Sequence, residues 1–103
     1  MIYNVGQKNK YINISEGKKD FDITVVVRPL NENIPYKVSI VSSEDIMQDD
    51  IILPTVKGTN KMRVQKTNSS EDWFVAVSAQ TEIQLDVSFE QTNDIDSSNK
   101  IVE

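Results

Sequence analysis

Four carboxylates fall within seven residues at Glu44, Asp45, Asp49 and Asp50, the densest group of carboxylates in the chain. Such hard oxygen donors suit Ca²⁺, yet an EF-hand loop places its ligands at alternating positions around a central Gly, and this run does not. It is therefore read as a solvated acidic loop, and Asp94 and Asp96 form a weaker pair of the same kind. The sequence contains no His and no Cys, which removes imidazole bases, thiol nucleophiles, disulfides and almost every zinc or transition-metal site. Catalysis would have to rest on paired carboxylates or an activated Ser or Lys. No acid sits in such a motif: Asp86 and Glu90 lie apart on one outward strand face. No catalytic residue, metal site or cofactor is expected.

Lys57, Lys61 and Arg63 could gather into a basic stripe, because Met62 and Val64 alternate with them and point inward. The whole chain has 16 acids against 11 bases, a net charge of −5, which disfavours nucleic acid as partner. Residues 1–66 hold 10 of those bases and 8 acids, and residues 67–103 hold 1 base and 8 acids. This asymmetry suits docking on an acidic protein surface, and equally suits a charged edge strand that resists aggregation. Trp73 and Phe74 are adjacent, so one ring enters the core while the other faces outward or toward an edge. Asn13-Ile14-Ser15 and Asn68-Ser69-Ser70 match the glycosylation pattern and, with no secretion signal in view, are read as chance matches.

The elements that would position these groups are strands. Ile and Val number 24 while Leu and Ala together number five, and β-branched side chains favour a pleated surface over a helix. Strands are expected at Ile2–Val5, Lys10–Ile14, Phe21–Arg28, Pro35–Ser42, Ile51–Leu53, Thr55–Lys57, Lys61–Lys66, Trp73–Ala79 and Ile83–Phe89. The break at Ser15-Glu16-Gly17, Pro29 with Asn31-Glu32-Asn33, and Gly58-Thr59-Asn60 separate them. Residues 43–50 carry room for one helical turn. Two hairpins are expected, one about Gly58-Thr59-Asn60 and one joining Trp73–Ala79 to Ile83–Phe89. Period-2 alternation predicts a core of Phe21, Ile23, Val25, Val27, Val38, Ile40, Val75, Val77, Ile83, Leu85, Val87 and Phe89. The class is all-β, an antiparallel sandwich of about seven or eight strands over residues 1–91, followed by a polar C-terminal tail, 92–103.

Ile12-Asn13-Ile14-Ser15-Glu16-Gly17 leading into Phe21–Val27 resembles the first two strands of immunoglobulin-like domains, and Trp73–Ala79 with Ile83–Phe89 resembles their closing hairpin. With no Cys, no Trp in Pro35–Ser42 and no corner Tyr, an antibody-type domain is excluded, and bacterial and viral Ig-like modules fit better. A freestanding, cysteine-free, Asn-rich module of this size is similar to the accessory capsid, or head decoration, proteins of tailed bacteriophages. That resemblance implies a structural protein of the virion, made in the host cytoplasm, docking on a capsid or other large protein assembly. It implies no role for nucleic acid or membrane, and leaves homo-oligomer formation on the assembly open. The alternative is a carbohydrate- or ligand-binding adhesion module from a bacterial surface protein. Expected partner contacts are the first strand (Ile2, Tyr3, Val5), two apolar residues of the acidic loop (Ile46, Met47), the basic stripe (Lys57, Lys61, Arg63) and the chain end (Ile101, Val102).

Overall fold

The computed structural model describes residues 1–15, 21–48, 51–66 and 71–91. Among them, eight strands and one helical turn follow in order: β1 (Ile2–Val5), β2 (Lys10–Asn13), β3 (Phe21–Pro29), β4 (Tyr36–Ser42), α1 (Ser43–Ile46), β5 (Thr55–Val56), β6 (Asn60–Lys66), β7 (Trp73–Ser78) and β8 (Ile83–Gln91). They pair antiparallel into two four-stranded sheets, a front sheet β1-β8-β3-β6 and a back sheet β2-β7-β4-β5. The all-β class and the antiparallel pairing agree with the alternation read from the sequence.

Both sheets feed one core. Val5, Val25, Val27, Val64, Ile83, Leu85 and Val87 from the front sheet meet Ile12, Tyr36, Val38, Val75 and Val77 from the back. Burying a Val or Leu side chain contributes roughly 1.5–3 kcal/mol each, so these strands are held chiefly by their inward faces. The outward face of the front sheet is polar and cross-linked: Gln84 Nε2 donates to Asn4 Oδ1 at 3.0 Å, and Arg63 forks onto Asp22 at 3.0 and 2.6 Å.

Four expectations are corrected. Trp73–Ala79 and Ile83–Phe89 are not a hairpin, because β7 lies in the back sheet and β8 in the front, between β1 and β3. The link 79–82 instead arches between sheets, a separation of about 10 Å that four residues can span. The turn at 57–59 is likewise an arch from β5 to β6, not a hairpin. Gly58 makes it with φ 73°, a conformation that costs a residue with Cβ. Ile51–Leu53 has no ladder partner and is not a strand. Phe89 is 47% exposed, although it continues the inward face of Ile83, Leu85 and Val87. Alongside β8, β1 reaches only to Val87, whose N–H donates to the Met1 carbonyl, so Phe89 has β3 on one side and no described strand on the other.

The immunoglobulin constant-type order keeps the first and second strands in one sheet. Here the segments that resemble those two strands, β2 and β3, stand in opposite sheets. The sandwich is common to both; the strand order is not.

Candidate docking face

The outward face of the back sheet is built differently from that of the front. Val41 on β4 and Ala76 on β7 point away from the main core, yet both are buried. Their cover is the segment between β4 and β5. Ser42 caps α1 through a capping box: its Oγ accepts from the Asp45 N–H at 3.4 Å, and Asp45 Oδ2 accepts from the Ser42 N–H at 3.0 Å. The Ser43 N–H donates to the Asp72 carbonyl at 2.9 Å, which fixes the helical turn to the end of the sheet. The chain then returns across the face, and Leu53 packs with Val41 and Ala76 in a second, smaller core flanked by Tyr11, Ile46, Ile51 and Phe74.

Neighbouring side chains of an extended segment point to opposite sides. With Ile51 and Leu53 turned to the sheet, Ile52 turns to solvent and is 92% exposed. Met47, at the C-cap of α1, is 85% exposed. Tyr11 and Phe74 lie half-buried on adjacent strands of the same face, where Asn13 pairs with Phe74 and Tyr11 with Ala76. The outer side of the back sheet thus carries the half-buried Tyr11, Ile46, Ile51 and Phe74, with the exposed Met47 and Ile52 next in sequence to Ile46 and Ile51.

The expected contacts scatter when placed on this frame. Ile46 and Met47 belong to the face just described, although Ile46 is half-buried against the small core and is not a stranded group. Val5 is a correction: at 1% exposure it is a core residue and has no surface to offer. Ile2 is exposed on the front sheet, and Tyr3 packs against the core with the Lys10 ammonium 5.7 Å from its ring centroid. Lys61 and Arg63 project from the front sheet, the side opposite Met47 and Ile52, and Arg63 is already engaged by Asp22. Lys57 stands exposed in the β5–β6 arch. Ile101 and Val102, with the rest of the 92–103 tail, lie outside the described residues, as do Asp49, Asp50, Asp94, Asp96 and the Asn68-Ser69-Ser70 pattern.

Sequence reasoning missed Ile52, Tyr11 and Phe74 as members of one face. Three consecutive apolar residues at 51–53 were the available signal, since a strand with one wet face would expose the middle one.

Two polar clusters serve structure. Ser15 Oγ accepts from the Trp73 N–H at 3.1 Å and lies 3.3 Å from Asp72 Oδ1, while Asn13 Oδ1 accepts from the Ser15 N–H at 2.9 Å. This buried knot closes the chain against the start of β7. On the front sheet the Met1 amino group donates to Asp86 Oδ1 at 2.9 Å and Arg28 reaches Oδ2 at 3.4 Å. The amino group's hydrogen bond, with Arg28 adding to it, holds the Asp86 carboxyl below its ordinary value. Among the described residues, no group of three or more carboxylates could hold a metal ion. Asp45, from the acidic run, spends its carboxylate on the helix cap.

At the other end of the back sheet a cavity of about 150 Å³ opens among Ile34, Pro35, Lys37, Thr55, Gln80 and Thr81. Compared with known proteins, the chain matches no family model, no curated protein and no solved structure.

Proposed function

We propose that this protein is a non-enzymatic binding module that docks on a larger protein assembly through the outer face of its back sheet. The observation that carries the reading is the contrast between the two outer faces. One is cross-linked by polar and charged pairs; the other presents Met47 and Ile52 above a second small core. Large apolar groups held out on a rigid support are what a protein interface buries, whereas a solvated face gains nothing from them.

The assembly proposed is a virion, with the chain as an accessory capsid protein. The order β1-β8-β3-β6 over β2-β7-β4-β5 supports a jelly-roll reading of the sandwich, the eight-stranded double Greek key on which viral coat and lectin domains are built. That support is by analogy of architecture, since one fold hosts many functions.

Quantitative mass spectrometry of virions purified from the source of the chain tests the reading. The chain should be present at a copy number comparable with that of the major capsid protein. Met47→Ser combined with Ile52→Ser should weaken its affinity for the particle about tenfold, the effect of losing roughly 1.4 kcal/mol of contact. Both residues are exposed, so the variant's stability should stay within about 0.5 kcal/mol of the parent's. Absence from the particle, or undiminished affinity of the double variant for it, overturns the proposal.

A further inference from the structure

The cavity beside Lys37 is a second feature of the back sheet, independent of the apolar face. Lys37 leads β4 outward, next to Thr55 on β5 and Ser78 on β7. It is half-buried, and among the described residues no carboxylate pairs with it. The side chain lines the cavity, where it is the one charged group of the lining. Thr55, Gln80 and Thr81 share its lining, and Ile34 and Pro35 add apolar residues.

Size and charge narrow the occupant. A volume of about 150 Å³ lies below the ~300 Å³ at which pockets for drug-sized ligands begin. One lysine balances one negative charge. Hydroxyl and amide donors complete the hydrogen bonding of a carboxylate, and the apolar wall suits a short hydrocarbon stem. A phosphate dianion would call for more positive charge than this cavity holds.

We propose that the cavity is a carboxylate subsite, in which Lys37 supplies the charge, Thr55, Thr81 and Gln80 supply donors, and Ile34 with Pro35 cradles the stem. The carboxylate comes either from a small free acid or from an acidic side chain of a docked protein.

NMR titration of the full chain separates these. Sodium butyrate, against sodium chloride at equal ionic strength, should give saturable shifts of the Lys37, Thr55, Gln80 and Thr81 amides. Lys37→Met, which keeps the stem and removes the charge, should weaken binding at least tenfold with the rest of the spectrum unchanged. Tighter binding of glutamate capped at both backbone ends assigns the site to a partner's side chain; tighter binding of butyrate assigns it to a free acid. Equal shifts with chloride, tighter binding of inorganic phosphate, or undiminished affinity in Lys37→Met overturns the subsite. Met47→Ser with Ile52→Ser should leave the titration unaltered, so failure of the docking face and failure of the subsite read out separately.

Discussion

Tyr36 is 1% exposed and its hydroxyl joins three parts of the chain. The group donates to the Gly58 carbonyl at 2.7 Å, with the Val27 carbonyl at 3.4 Å, and accepts from Asn60 Nδ2 at 2.7 Å. Removing it in Tyr36→Phe leaves buried polar atoms short of partners, and urea denaturation should show a loss of about 1–3 kcal/mol. The same residue sets an alkaline limit. Burial pushes the phenol above its ordinary 10.0, against the opposing hydrogen bond from Asn60. The unfolded chain therefore releases this proton first, and the folded protein loses stability as pH rises above about 10. In Tyr36→Phe the decline above that pH should be shallower, which a series of denaturation midpoints would measure.

Connections between elements carry the next level of specificity. Gly58 turns the β5–β6 arch with φ 73°, and a Cβ there would meet nothing closer than Glu32 Oε1 at 4.0 Å. Space is thus available and backbone strain alone opposes Gly58→Ala, at about 1–2 kcal/mol of stability by chemical denaturation. The capping box of α1 has a comparable value and a more local effect. Ser42→Ala should cost about 1 kcal/mol. Because α1 and the return segment, through Leu53, cover Val41 and Ala76, faster amide exchange should follow at those two positions and not in β3 or β8. Exchange unchanged at those two positions would mean the segment holds without its cap.

For the whole molecule, the topology itself makes a prediction. Except for β4 with β5, every strand pair joins segments that are not consecutive, and β1 waits for β8 near the far end of the described chain. Closing such loops costs entropy before the contacts reward it, so folding should take milliseconds to seconds, as for other sheet proteins rich in non-local pairs. Stopped-flow refolding monitored by Trp73 fluorescence measures this, and microsecond folding would contradict it. The same topology separates the two outer faces, so Lys61 and Arg63 cannot act on one surface with Met47 and Ile52.

Composition and period-2 alternation sufficed for the all-β class, for the positions of the eight described strands to within a residue or two but with Ile51–Leu53 in excess, and for the inward set Val25, Val27, Val38, Val75, Val77, Ile83, Leu85 and Val87. Those features are local: each strand declares by itself which face is dry. Which strand lies beside which was decided only by the tertiary structure, because ladder hydrogen bonds join backbone groups that are alike in every residue. Hence Trp73–Ala79 and Ile83–Phe89 read as a hairpin and fold as opposite layers. The docking face was hidden for the same reason. Ile52 becomes an exposed apolar group only when Ile51 and Leu53 fold onto Val41 and Ala76, and the chain far from Ile52 determines that meeting.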